Sequence, residues 1–175
     1  MTDKFTFFWT DADVFSNWFP AHIEIEDEVE GLLTFENSEQ LFMFLKAQCF
    51  KDEETSRKIL QTPNPRDVKA LGRQVKGFDE AVWERESGVA MYAANYFKFT
   101  QNPAMLKQLL LTIKTTLVEA SPYDRIWGIG MKENDPRAVD PTKWEGLNKL
   151  GFILSDLAKD IIMERPLQCV ESMIP

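Results

Sequence analysis

The stretch Asn37–Gln48, NSEQLFMFLKAQ, reads as a helix with apolar side chains around much of its circumference, and such a helix belongs inside a core. At about 100° per residue, Leu41, Phe42, Leu45 and Cys49 form one apolar arc, with Met43 and Phe50 further round. Glu39 and Lys46, seven positions apart, fall on nearly the same bearing between those groups. Gln40 and Gln48, the residues suited to water, sit elsewhere on the wheel. Two chargeable groups therefore project from a largely hydrophobic face.

The elements around that helix follow from the period of the pattern. Three short strands precede it, FTFFW, HIEIE and LLTF, each bounded by turn residues. Asn37 is the expected N-cap, with Gln40 three positions on in a capping-box arrangement. Helices are expected in DEETSRKILQ, NPRDVKALGRQV, DEAVWERESGVAMYAANYFKF (with Gly88 at its middle) and AMLKQLLLTIK. TLVEA–SPYD–RIWGIG reads as strand, turn, strand, which puts Asp124, Ile126 and Gly128 on one face and Arg125, Trp127 and Ile129 on the other. The acidic loop MKENDPRAVDP leads to a last helix, KWEGLNKLGFILSDLAKDIIM. The expected architecture is α+β: a single, mostly helical domain with a small β-sheet over 1–163, followed by a patternless tail at 164–175. A length of 175 residues suits one domain better than two.

Several function classes fall away. No run of about 18 apolar residues is present, so a membrane span is not expected. The N-terminus carries Asp3 and Asp11 and has no small-residue cleavage site, unlike a signal peptide. Cys49 and Cys169 make neither a disulfide framework nor a zinc pattern, and a reduced, cytoplasmic protein is expected. The formal charge of −8 opposes coating of a nucleic-acid backbone, while leaving recognition of one extruded nucleotide open. The single histidine, His22, has no nucleophile motif near it. Catalysis, if present, rests on carboxylates, lysine and aromatic rings.

Glu39 falls in the first helical turn, where exposed N–H groups favour a carboxylate. Lys46 lies about 10.5 Å further along the axis, too far for a helical ion pair, yet both long side chains can reach something bound between them. The same residues also fit a capping acid and a lysine that snorkels to water. In SPYDRIWGIG, Trp127 beside Gly128 and Gly130 fits either a stacking platform or a buried core ring. Arg73, after Gly72, fits a phosphate grip or a surface cation. Trp83 and Trp144 sit in helical patterns as core rings do. Asp135 and Asp140 lack strict metal-ligand spacing, and the acidic run Glu24–Glu30 reads as a solvated turn.

Taken in order, FSNWFPA, NSEQLFMFLKA, ALGRQV, KFTQNP, LVEASPYDRIWGIG and WEGLNKLG resemble the NADAR family, also called YbiA-like, over roughly Phe7 to Asp160. That resemblance implies an N-glycosidase acting on phosphorylated ribosyl compounds: riboflavin-pathway intermediates, or guanine bases carrying ADP-ribose. It implies catalytic roles for Glu39, Lys46 and Asp124, and substrate contacts from Asn17, Trp18, Arg73, Trp83 and Trp127. No metal or other cofactor is expected. The partner implied is a small nucleotide or ADP-ribosyl molecule, or a modified base in single-stranded nucleic acid, with no membrane involved. Two features depart from the family pattern: Gln40 stands where histidine is common, and no basic residue falls near Ala158. A module that binds ADP-ribose without cleaving it is the alternative.

Overall fold

The computed structural model describes residues 4–163, so the expected tail at 164–175 lies outside the described residues. The chain forms two compact units. One comprises residues 4–16 with 104–163, and the other residues 17–103.

The unit of residues 17–103 is built around the helix that the sequence marks as internal. Strands β2 (Ile23–Asp27) and β3 (Gly31–Phe35) pair as an antiparallel hairpin with Ile25 opposite Leu33. The alternation in IEIE puts Ile23 and Ile25 inside and Glu24 and Glu26 outside. The Asp27 carboxylate accepts the Val29 and Glu30 N–H groups at the turn, and Gly31 takes the left-handed φ of 77° that closes it. Helix α1 (Ser38–Cys49) follows, buried continuously from Ser38 to Leu45 and packed on α2 (Glu53–Leu60), α3 (Pro65–Gly72) and α4 (Glu80–Gln101). Phe44 meets Phe35 of β3 edge-on at 5.3 Å. Helix α4 runs through Gly88 without a break. At its end the Gln101 amide accepts from the Glu24 N–H and donates to the Glu24 carbonyl, each at 2.8 Å, so it stands in for a missing strand along β2.

Asn37 caps α1 as expected, accepting the Gln40 N–H at 2.9 Å. Gln40 itself departs from expectation, being 1% exposed rather than turned to water. Its carbonyl oxygen accepts the Glu36 N–H, and its amide donates to the carbonyls of Ile59 and Thr62, which closes the end of α2. Those are carbonyls that a helix terminus leaves without an internal partner.

In the other unit, β1 (Phe5–Phe8) pairs in parallel with β4 (Thr116–Glu119), Phe5 opposite Thr116. Helix α5 (Pro103–Leu111) leads into β4, and α6 (Lys149–Ile162) packs against it. Val118, Ala120, Ile129, Met131 and Ala138 form the core here, with Phe5, Phe7 and Trp144 against it.

Two expectations are corrected in this unit. RIWGIG is not a strand but an irregular loop, in which the carbonyls of Arg125, Ile126, Trp127 and Gly128 accept N–H groups from Leu147, Lys149, Leu150 and Asn148. The loop thus serves the start of α6 and does not form a ladder. The last helix also begins later than KWEG, at Lys149, because Asn148 adopts a left-handed φ of 52°. The Asn148 amide bridges β4, accepting the Glu119 N–H and donating to the Leu117 carbonyl, each at 3.0 Å. Ser155 Oγ accepts the Leu117 N–H beside it.

Candidate functional site

Glu39 is buried in the first turn of α1, with 6% of its surface exposed. Its backbone N–H, one of those a helix start leaves over, donates to the Asn17 carbonyl at 3.1 Å. The structure therefore brings together two residues predicted from distant blocks. The Asn17 side chain faces α4: its Oδ1 accepts from Asn95 Nδ2 at 3.1 Å, and its own amide donates to Met91 Sδ at 3.0 Å. Trp18 follows, half-buried. On the same face of α4, one turn past Asn95, Lys98 is completely buried with its ammonium 5.6 Å from the centre of the Phe19 ring. Burial pushes its pKa down to about 7.

Two turns along α1, Lys46 is half-buried. Its Nζ donates to the Gly72 carbonyl at 2.9 Å and lies 4.4 Å from the centre of the Phe78 ring and 5.6 Å from that of Trp83. Phe42 and Phe50 pack on Trp83 behind it, with ring centres at 5.3 and 6.4 Å. Burial lowers the lysine's pKa from its ordinary value, because the charged form loses hydration that aromatic faces only partly replace. The absence of a side chain at Gly72 permits this arrangement, since a Cβ there would collide with the Met43 thioether. Arg73, next in the chain, caps α3 and is exposed. Lys46, Trp83 and the Gly72–Arg73 corner thus form one neighbourhood.

Asp124 and Trp127 belong to the unit of residues 4–16 and 104–163, and they are in direct contact. The Asp124 carboxylate accepts the N–H groups of Ile126 at 2.9 Å and Trp127 at 2.8 Å, while its carbonyl takes the Gly130 N–H at 3.2 Å. Asp124 therefore shapes the loop that presents the half-buried Trp127. A Cβ on Gly128 would press on the Glu119 carbonyl at 2.8 Å, which explains why glycine stands there.

Among the described residues, no group of three or more His, Cys, Asp or Glu side chains is arranged to hold a metal ion. Asp135 instead pairs with Arg137 at 2.7 Å, Asp140 caps a 3-10 turn at Pro141–Lys143, and His22 is exposed beside Glu24. No helix among the described residues is long and apolar enough to cross a membrane.

Sequence reasoning missed Asn95 and Lys98. The available signal was polarity at helical spacing: Met91, Asn95 and Lys98 recur at four and three residues inside an otherwise apolar run.

The family model described as the NADAR domain matches residues 7–162. N-glycosidase R617 of Acanthamoeba polyphaga mimivirus is 34% identical over 165 residues, covering 91% of this chain and 97% of that protein. The riboflavin biosynthesis protein PYRR of Zea mays is 33% identical over 162 residues, 88% of this chain and 24% of PYRR. N-glycosidase YbiA of Escherichia coli strain K12 is 27% identical over 168 residues, 94% of this chain and 93% of YbiA. The NMR structure of E. coli YbiA aligns with a TM-score of 0.72 at 28% identity, over 94% of this chain and 89% of that one.

Proposed function

The chain belongs to the NADAR domain family and is an N-glycosidase, and we propose that it cleaves the ribose C–N bond of a phosphorylated ribosyl or ADP-ribosyl compound using Glu39 and Lys46. The observation that carries this reading is the pairing of a buried carboxylate with a half-buried amine of lowered pKa on one helix. Breaking the C–N bond develops positive charge at the anomeric carbon, which the Glu39 carboxylate stabilises. The Lys46 amine, when neutral, attacks that carbon as the base departs with a proton. The ribose ring then opens to leave an imine on Nζ, and water releases the sugar and restores the amine. The lowered pKa favours the neutral amine this step needs.

In the same reading Trp18 stacks the base, Arg73 grips a phosphate with its planar guanidinium, and the family resemblance gives Trp127 a substrate contact. Trp83 walls the amine, Asn17 sets the turn beside Glu39, and Asp124 orients a ribose hydroxyl or a catalytic group. The likeness to PYRR supports riboflavin-pathway intermediates as a substrate class. ADP-ribosylated guanine is the other class we propose. A formal charge of −8 favours a free nucleotide over duplex DNA, with a single-stranded or flipped base still feasible, and the cytoplasm is the setting we propose.

Borohydride trapping read by intact mass tests the proposal. The probes are ADP-ribosylated guanosine, a phosphoribosyl-amino-pyrimidine, NAD and free ADP-ribose. A ribosyl adduct on Lys46 with release of base is the expected result. Base release without an adduct moves the chemistry to Glu39 and water. Binding of ADP-ribose without release would overturn the assignment and leave a binding module. Glu39→Gln and Lys46→Ala are each expected to abolish turnover while the protein stays folded.

A further inference from the structure

We propose that Asn95 is a positioning residue for the glycosidase site: through the Asn17 amide it fixes the first turn of α1 and with it the aim of Glu39. The inference rests on the reading of Glu39 given above.

Asn95 is fully buried in α4. Its Nδ2 donates to Asn17 Oδ1 at 3.1 Å and to the Met91 carbonyl at 3.0 Å, and its Oδ1 accepts from Ser38 Oγ at 3.4 Å. Met91 Sδ takes the Asn17 amide at 3.0 Å, so both ends of the Asn17 side chain are held by α4. The Asn17 carbonyl in turn takes the Glu39 N–H at 3.1 Å. A continuous path of hydrogen bonds therefore runs from α4 through Asn17 to the peptide that carries Glu39, with Ser38 as a second anchor. Packing alone does not call for an amide here, because its desolvation is costly unless its bonds are made, and Ala90 and Ala94 fill neighbouring positions of α4. What the amide adds is direction. It holds the Asn17 side chain against α4, and Asn17 accordingly acts by aiming Glu39.

Amide hydrogen exchange followed by NMR tests the path without reference to turnover. In Asn95→Ala, the Glu39 amide should exchange faster while those of Leu45 and Ala47, later in the same helix, stay protected. Uniform acceleration along α1, or none, would overturn the proposal. Asn95→Leu keeps a similar volume without a buried polar group and removes the donor to Asn17, and it covers the case in which the alanine variant does not fold. Its kcat on whichever probe is turned over should fall ~10- to 100-fold with KM little changed, as expected for a misaimed catalytic group. In a Glu39→Asp background the same substitution should have almost no further effect on kcat. A full additional loss there would mean that Asn95 acts independently of Glu39, and would sink the idea. Normal turnover by Glu39→Gln would instead remove the reading of Glu39, and the exchange experiment would still judge Asn95.

Discussion

The Lys46 amine lies 2.9 Å from the carbonyl oxygen of Gly72, and this bond ties the helix that carries the amine to the end of α3. Gly72 can approach only because it has no side chain. Gly72→Ala would drive a Cβ into the Met43 thioether, so either that side chain must repack in the core or the end of α3 must move from α1. Overpacking of this kind costs about 1–3 kcal/mol. We expect a lower melting temperature together with weaker borohydride trapping at Lys46. Unchanged trapping in a destabilised variant would show that the Gly72 carbonyl does not hold the amine in place.

Burial lowers the Lys46 pKa, so its neutral fraction at a given pH exceeds that of a surface lysine. The pH profile of imine trapping should have its midpoint below the ordinary lysine value of about 10.4. Phe78→Ala opens the amine to water and should move that midpoint upward. Lys46→Arg keeps a cation able to bond the Gly72 carbonyl but lacks a nucleophilic amine, so it should bind substrate without forming an adduct.

Lys98 makes a claim about stability. Its pKa in the folded protein is about 7, against about 10.4 for a lysine in the unfolded chain. Between these values the unfolded chain holds a proton that the folded protein has shed, so stability rises with pH across that window. The gain is on the order of 4 kcal/mol from end to end. Lys98→Met lacks it. Urea melts at pH 7, 8.5 and 10 should show wild type gaining on the variant as pH rises, and a flat difference would contradict the shift.

Asn148 serves two needs at once, a left-handed backbone and a bridge to β4. Asn148→Gly keeps the first and loses the second, leaving the Glu119 N–H and the Leu117 carbonyl short of their partner, at ~1–3 kcal/mol. Asn148→Ala loses both and should be less stable than the glycine variant by a further ~1–2 kcal/mol. Paired denaturant titrations read the difference, and equal stability would mean that the backbone strain is relieved elsewhere.

Much of this protein was legible from local pattern. The cap of α1, the strands β2 and β3 and the helices up to α5 follow from periodicity, turn residues and capping chemistry, which act over a few residues. The odd pairing of Glu39 and Lys46 on one apolar face marked the helix as a candidate site, and both side chains lie at least partly buried. Gln40 was misjudged because a glutamine looks solvated until a distant helix end, at Ile59 and Thr62, needs its amide.

What the sequence determined by itself is therefore the elements up to β4 and the chemical character of α1, since both depend on spacings of two, three and four residues. Tertiary structure alone decided which strand pairs with which, Phe5 with Thr116 across the chain, and turned RIWGIG from an expected strand into the loop that caps α6. It also decided that amides do backbone work, Gln101 along β2 and Asn148 along β4, and that Asn95 reaches the Asn17 amide 78 positions away. Gln101 is exposed and serves an open strand edge, while the physical reason is common to Asn148 and Asn95, both fully buried. A buried polar group must find a partner wherever the fold places one, and that partner's position in the chain leaves no trace in local periodicity.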